Sequence, residues 1–569
     1  MYDLKITNGL LVDGTGRPGE RGDLGVKDGR IAAVGHAPED AVETVDAAGR
    51  VVSPGFIDIH THLDAQVLWD RRLSYSPWHG VTTVLMGNCG FSIAPTRREH
   101  REVILRTLEN VEGMSFEALS EGLGEEWGFE TFPEYLDLVE QRGSAINVGV
   151  LFGHTPARYS VMGVEAALSR AADADELRLL RGTAAEALEA GAFGVSTSMA
   201  SAHVGYNGRP VPSRQADMVE MGVLADALAD TDRGLFQVTT GPGLSYRELV
   251  AIEQRSGRPV SYVGIIVGVG GPGVHRKMLK RLDEVRAAGS DISAQVSCRP
   301  FSQAFSLAQP FPFAVTAPAT LALPTAQDLF QAVMDAANPA AKRELYRDPA
   351  FLKRLEKLTA GPDWYDLIWT KIDTIDLPGA PAELENRPLV EVADDLGLTP
   401  AAALLRLSLE SDLRGRFAIG HLNSDLDEVG RLLRYPGTQL GLSDAGAHIS
   451  EICDACFATD LLGRWVRERG YLELEEAVAM LTGKAADAIG LIDRGRLAEG
   501  LAADLVVFDP AQVGPARPEL VNDLPGGAPR LVADALGIDL VVVNGVPIRR
   551  DGKDLSAERL PGRLLRSGG

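Results

Sequence analysis

The sequence contains two histidines separated by one residue, His60 and His62, whose side chains and spacing could bind a metal ion. They follow an apolar run that begins at Phe56, and alternate residues of a strand point to the same side. Both imidazoles can therefore face one place and share a metal ion. A His-x-His pair also arises by chance, but barrel enzymes place their active sites at the carboxyl ends of strands.

Two more residues with metal-binding or acid–base side chains follow other apolar runs. Cys89, in a Gly-Asn-Cys-Gly stretch, is either a small buried hydrophobic residue or a zinc ligand when its thiolate lies beside imidazoles. Asp444 can contact a metal ion and accept a proton from water as a general base. An aspartate that starts a loop also commonly caps a helix, so both interpretations stay open.

The elements that would position these residues alternate between short apolar runs and Ala-, Leu- and Glu-rich helical stretches. This alternation is typical of parallel βα units. It predicts an α/β fold, a (β/α)8 TIM-like barrel, although there are nine candidate strands for eight places. The candidates are Phe56–His60, Val81–Met86, Ile146–Phe152, Phe193–Thr197, Gly234–Val238, Val260–Ile266, Ile292–Val296, Phe417–His421 and Thr438–Leu442.

Both chain ends contain short strands separated by Asn-Gly and Asp-Gly turns, which are strong hairpin signals. Neither end has enough strands for a core of its own. We expect residues 1–53 and 491–569 to pair into one small β-sandwich beside a catalytic barrel formed by residues 54–490. Residues 302–378 fit no short βα loop, and we predict an insertion that acts as a lid.

The chain has 569 residues and a formal net charge of -23, which excludes nucleic acid and anionic membranes as expected partners because phosphates would be repelled. No stretch is long and apolar enough to span a bilayer, and the start does not resemble a signal peptide. The four cysteines are too few to staple so long a chain. We expect a cytoplasmic protein with a small-molecule substrate, and a homo-oligomer stays open.

Five other side chains are candidates for substrate binding. His154 could contact the substrate or make a structural hydrogen bond, and His421 could be a replacement ligand or a substrate contact. Arg158 could hold an anionic group or form an internal ion pair. Tyr206 lies in a Gly-rich loop that faces either the pocket or solvent, and His448 could orient Asp444, line the pocket or simply pack.

Taken together, the motifs resemble the N-acyl-D-amino-acid deacylases (D-aminoacylases) of the amidohydrolase superfamily, and the resemblance extends over nearly the whole chain. The Gly-Asn-Cys-Gly stretch is the most specific motif, because the superfamily at large has no cysteine there. The other matching stretches include Pro54–His62, Gly80–Pro95, Gly191–Thr197, Ser443-Asp444, Leu481–Ala486, Ala503-Asp504 and Phe508–Pro510.

This resemblance implies a zinc site built from His60, His62, Cys89 and Asp444, with Asp444 as ligand and general base for a metal-activated water. The family also places a histidine after the fifth barrel strand, and a histidine followed closely by a lysine after the sixth. The corresponding stretches here contain neither residue type. We therefore predict one zinc ion and not two.

The function implied by the resemblance is hydrolysis of a C–N amide bond in an N-acyl amino acid, of D configuration, or a close relative. A cyclic-amide hydrolase is one alternative, and a non-hydrolytic lyase or decarboxylase on the same scaffold is another. A third is a barrel that has lost catalysis and binds a small molecule.

Overall fold

The structure of the chain is a computed structural model. Residues 311, 322 and 337, which fall within the predicted insertion, are not among the residues that the structure describes. The described residues are 1–310, 312–321, 323–336, 338–556 and 560–568.

The chain divides into two compact units. The chain leaves the first unit after Cys298 and returns to it at Gly430. A short segment that ends just before Lys280 also belongs to the second unit. The first unit comprises Met1–Ile265, Lys280–Cys298 and Gly430–Gly569, and the second comprises Ile266–Leu279 and Arg299–Val429.

Eight parallel strands form the centre of the first unit. Most of their residues are buried, as parallel strands covered on both faces must be. Thr61 forms a parallel bridge with Ala445, so the segment after the first strand pairs with the segment after the eighth. The strands are β1 (Phe56–Asp58), β2 (Val81–Met86), β3 (Asn147–Val150, continued by Phe152–Gly153), β4 (Gly194–Ser198), β5 (Leu235–Thr239), β6 (Val260–Val263), β7 (Ile292–Val296) and β8 (Thr438–Leu440).

Helices separate most of these strands along the chain, and polar caps define where several of them begin. Asp173 accepts hydrogen bonds from the first-turn amides of one helix, and Glu176 completes the capping box. The helices are Arg101–Glu112, Phe116–Leu123, Phe132–Arg142, His154–Met162, Val164–Ser169, Ala174–Glu189, Met218–Thr231, Tyr246–Ser256, Val274–Ala287, Leu426–Leu433, Phe457–Asp460, Leu474–Leu481 and Gly483–Ile489, with a π-helical segment at Leu461–Glu468.

Both ends of the chain contribute to one nine-stranded sheet, as their turn-rich sequences predict. Val51–Pro54 pairs antiparallel with Leu505–Phe508, so a strand from each end meets at the middle of the sheet. Apolar side chains from both ends share a buried core beside it. The other strands are Tyr2–Leu11, Glu20–Lys27, Arg30–Gly35, Ala41–Asp46, Ile538–Val543, Val546–Arg550 and Lys553–Asp554, and two short antiparallel pairs lie outside the sheet, Gly514–Pro515 with Ala535–Leu536 and Glu519–Val521 with Arg530–Val532.

A buried polar cluster joins the terminal sheet to β3. The Asp504 carboxylate pairs with the Arg494 guanidinium, and accepts hydrogen bonds from the Asn147 side-chain amide at 2.9 Å and the Asn544 backbone amide at 2.7 Å. Asn544 also donates to the Asn147 side chain at 2.7 Å. Both members of the ion pair are almost fully buried, so each depends on the other to compensate its charge.

The second unit contains a three-stranded antiparallel sheet, in the order Phe301–Phe305, Arg416–Leu422, Ile372–Asp376. Its middle strand includes the candidate Phe417–His421, which is therefore the surplus one of the nine predicted barrel strands. His421 is buried on this strand, and burial lowers its pKa to about 4. The helices of the unit are Ala317–Thr320, Gln327–Met334, Pro339–Arg347, Pro349–Leu358, Pro362–Leu367, Leu389–Asp395 and Pro400–Glu410, with a π-helical turn at Pro312–Thr316.

Among the described residues, none of the helices combines the length and the apolar character that crossing a bilayer requires.

Replacing Asp504 with alanine should lower the free energy of unfolding by about 3–5 kcal/mol, because Arg494 would stay buried without its partner. Asp493 contacts the same guanidinium from a half-exposed position, so Asp493→Ala should cost less than about 1 kcal/mol. Urea unfolding of both variants measures the difference. Equal destabilisation would show that the buried pair has no special weight.

Candidate metal centre

The carboxyl end of β1 brings two imidazoles to one place. The ring centroids of His60 and His62 are 5.4 Å apart, and both side chains are nearly inaccessible to solvent. One ligand atom from each histidine and the Cys89 sulfur all lie within 4.8 Å of one another. Cys89 Sγ itself is 3.3 Å from His60 Nε2.

A tight turn after β2 places the cysteine. Cys89 adopts a left-handed conformation (φ 57°), and its amide donates a hydrogen bond to Gln237 Oε1 at 2.8 Å. The preceding Gly87 is also left-handed, and a Cβ atom there would lie 2.4 Å from the Leu151 carbonyl oxygen. The Gly-Asn-Cys-Gly sequence therefore fits a turn that larger residues would disrupt.

The loop after β8 places the carboxylate. Asp444 Oδ1 lies 3.2 Å from His60 Nε2 and 3.8 Å from His62 Nε2. The loop is bound to the end of β1, because the His62 amide donates to the Ala445 carbonyl at 2.7 Å and Ser443 Oγ donates to the His60 carbonyl at 3.0 Å. The four residues that the resemblance assigns to the site thus lie together.

Burial sets the charge state of the cluster. It lowers the pKa of His60, and it lowers that of His62 well below the usual value, so both imidazoles are neutral near pH 7. Burial and the nearby carboxylates of Asp444 and Glu112 raise the pKa of the Cys89 thiol well above its usual value. Without a nearby cation, the cysteine is therefore protonated.

Two residues that the sequence analysis missed lie behind the imidazoles. Gln295, on β7, has its Oε1 2.6 Å from His60 Nδ1. Glu112 has its Oε1 3.2 Å from His62 Nδ1. The local sequence around a glutamine inside a strand or a glutamate at a helix end does not show that the residue lies beside a histidine. Only the fold brings these two residues to the imidazoles.

Other buried carboxyl groups surround the cluster. Asp58 accepts a hydrogen bond from the His60 amide at 3.2 Å, and Asp64 accepts one from the Gly87 amide at 3.0 Å. Burial raises the pKa of each aspartate to about 7. The region is thus rich in acidic groups that a cation would favour in their charged form.

His154 and Arg158 lie in a separate, fully buried network. His154 Nε2 is 2.7 Å from Glu220 Oε1 and its Nδ1 is 2.8 Å from Thr197 Oγ1, while Arg158 pairs with the same glutamate and donates to the Arg170 carbonyl at 2.6 Å. The two basic groups hold the pKa of Glu220 at about 2 although burial opposes this. The protein's own groups occupy both imidazole nitrogens of His154 and the terminal guanidinium nitrogens of Arg158, and the role of the two residues in substrate binding stays a prediction.

Two other predicted residues lie in the first unit. The His448 amide donates to the Glu112 carbonyl, and the charge of its ring would lower the pKa of His62. Tyr206 lies partly exposed in the turn Tyr206–Gly208. His203, close to Tyr206 in the sequence, is oriented by Ser198 Oγ at 2.6 Å, and burial lowers its pKa to about 3.

The donor atoms fit a zinc ion. Two imidazole nitrogens and one thiolate sulfur are ligands that zinc prefers, and the short distances between them allow one ion to contact all three. Histidines that are neutral near pH 7 are also the form that binds metal. His421 lies in the second unit, and its predicted role as a replacement ligand stays a prediction.

The amidohydrolase family model matches residues 43–349 and 373–549 of the chain. D-aminoacylase from Alcaligenes xylosoxydans xylosoxydans is 30% identical over 552 residues, covering 96% of this chain and 94% of that protein.

Two solved structures share the fold over almost all of their length. N-acyl-D-glutamate deacylase from Bordetella bronchiseptica, in complex with zinc and a phosphonate mimic of the tetrahedral intermediate, has a TM-score of 0.66 and 28% identity, with 99% of each chain covered. A D-aminoacylase structure has a TM-score of 0.66 and 26% identity, with 100% of each chain covered. That enzyme is described as having a binuclear metal centre, with activation by one metal and attenuation by the second.

Zinc binding to the metal-free protein at pH 7.5 should release about one proton more from the wild type than from Cys89→Ala, because the raised pKa keeps the thiol protonated until zinc binds. Calorimetric titrations in two buffers of different ionisation enthalpy count the protons. Cys298→Ala, which changes a buried cysteine outside the cluster, should match the wild type. Equal proton release from Cys89→Ala would show that this thiol is not a ligand.

Proposed function

The chain belongs to the amidohydrolase family, and from this membership we propose that it is a metal-dependent hydrolase that cleaves the C–N amide bond of an N-acyl amino acid. The observation that carries the proposal is the convergence of two imidazoles, one thiol and one carboxylate from three different strand ends. Structural zinc sites usually have four protein ligands, whereas catalytic sites keep one position open. Three ligands with a carboxylate beside them match the catalytic kind.

In this proposal, His60, His62 and Cys89 would hold one zinc ion, with Asp444, which the resemblance also implies as a ligand, beside them. The ion would supply Lewis-acid chemistry, polarising the amide carbonyl and making water acidic enough to attack near neutral pH. Asp444 accepts the proton of the attacking water and then delivers it to the departing amine nitrogen. Its side chain is 20% exposed, so it can reach both solvent and substrate.

We propose zinc as the metal and one ion as the active complement. The zinc complex of the Bordetella relative supports the choice of metal, and the ligand set found here among the described residues supports one ion. The relative described by a binuclear centre is also described as activated by one metal. A site of this kind needs a single open Lewis-acid position.

The substrate proposal rests on the relatives, which are named for N-acyl-D-amino acids. We propose an N-acyl amino acid of D configuration. Because the chain lacks the lysine that the resemblance places after β6, we expect recognition of the substrate carboxylate to differ from that family pattern.

The wider assignments are also proposals. We propose that the eight parallel strands close into a barrel, which the bridge between Thr61 and Ala445 supports. We propose domains at 1–53 with 491–569, a β-sandwich, and at 54–490, a barrel with an insertion at 302–378. We also propose a cytoplasmic protein, and the net charge of -23 supports one that binds neither nucleic acid nor anionic membranes, with the oligomeric state left open.

Asp444→Asn should lower turnover by about 10²- to 10⁴-fold, because the amide cannot accept the proton of water. Zinc content and the unfolding transition should stay close to those of the wild type. Asp487→Asn, at an exposed position paired with Arg496, is the matched control and should keep full activity. Unchanged turnover in Asp444→Asn would contradict its role as base.

Substrate panels separate this function from its alternatives. Protein loaded with zinc should release free amine from N-acetyl-D-amino acids, and chelation should abolish the activity until zinc is restored. Activity on cyclic imides alone, with ring-opened products, would assign the chain to cyclic-amide hydrolysis. Bound zinc without turnover of either panel would indicate a binding protein.

A further inference from the structure

Each imidazole of the metal centre turns one nitrogen away from it. The Nε2 atoms of His60 and His62 both lie within 3.8 Å of Asp444 Oδ1. The Nδ1 atoms instead lie near protein oxygens, that of His60 2.6 Å from Gln295 and that of His62 3.2 Å from Glu112. Both rings therefore present the same nitrogen to the centre, but only His60 Nδ1 forms a hydrogen bond with a side-chain acceptor, since His62 Nδ1 has no hydrogen-bond partner among the described residues.

We propose that Gln295 is a positioning residue, which keeps the hydrogen of the neutral His60 imidazole on Nδ1 and so leaves its Nε2 lone pair free for the metal. The inference rests on the proposed function, since it requires a metal. A neutral imidazole has one N–H and one acceptor nitrogen, and only the latter can bind a metal. An acceptor behind the ring fixes the tautomer and the ring orientation, and makes the ligand more basic.

Gln295 is itself held in the orientation that this role needs. Its Nε2 donates a hydrogen bond to Ser261 Oγ at 3.1 Å, on the neighbouring strand β6, while its Oε1 faces His60. The side chain is 2% exposed, so water does not compete for these contacts. Turning the amide over would place its NH₂ group against the imidazole N–H, so the serine contact favours the accepting orientation.

Paired substitutions separate hydrogen-bond acceptance from packing. Gln295→Met keeps an unbranched side chain but removes the acceptor, whereas Gln295→Glu keeps an acceptor oxygen at the same place. Zinc affinity is measured by competition with a chromophoric chelator. The visible spectrum of the cobalt(II)-substituted protein reports the ligand geometry, independently of activity.

Gln295→Met should bind zinc about 10- to 100-fold more weakly than the wild type and change the cobalt spectrum. Gln295→Glu should keep affinity close to the wild-type value. Where Gln295→Met does not fold, Ser261→Ala gives a milder test, because it frees Gln295 Nε2 and should weaken zinc binding without removing the acceptor.

The matched control is Gln439→Met. Gln439 is the register partner of Gln295 on β8, and its amide oxygen has no hydrogen-bond partner among the described residues. It should bind zinc as the wild type does. Wild-type affinity and an unchanged spectrum in Gln295→Met would overturn the positioning role and leave the proposed function intact, whereas a wild type that binds no zinc would overturn both.

Discussion

Hydrogen bonds between the end of β1 and the loop after β8 hold the candidate centre together. His60 and Ser443 are 383 positions apart in the chain, yet the serine hydroxyl donates to the histidine carbonyl. The His62 amide donates to the Ala445 carbonyl in the same way. At Gly446, an added Cβ atom would lie 2.5 Å from the His62 carbonyl oxygen, so this approach requires glycine. The relative positions of imidazoles and carboxylate follow from these few contacts.

That arrangement has an electrostatic consequence. Burial disfavours charge on several titratable groups in the region, which leaves the imidazoles of His60 and His62 neutral and raises the pKa of Asp58 and Asp64 to about 7 and that of Glu112 well above its usual value. A divalent cation among these groups reverses the effect, because it stabilises thiolate and carboxylates alike. Metal binding and the charge state of the surrounding acids are therefore coupled.

The sequence predicted best what depends on local periodicity. His60 and His62 could be predicted from the sequence because strand alternation alone puts them on one side. Cys89 could be predicted because its flanking glycines mark a tight turn after a strand. The same periodicity could not separate Phe417–His421 from the barrel strands, since an antiparallel strand with a buried face has an identical pattern. Gln295 was hidden because an amide in a strand has no recognisable signature.

Ion pairing explains another limit of the sequence. Arg158 has the residue type of an anion-binding group, and only the position of Glu220, on a different helix, shows that its charge is neutralised internally. Long-range partners of this kind decide whether a charged residue serves the substrate or the fold. Residue type alone leaves both interpretations open.

The interior of β5 and β6 shows how the chain manages without the histidines that the resemblance places after them. Gln237 on β5 accepts the amide hydrogen of Cys89, and Ser261 on β6 accepts from Gln295, which in turn contacts His60. These strands thus supply neutral hydrogen-bonding groups that contact residues belonging to other strands. In the proposed site both nitrogen ligands come from the segment that follows β1, and the middle strands contact the residues that would bind the metal.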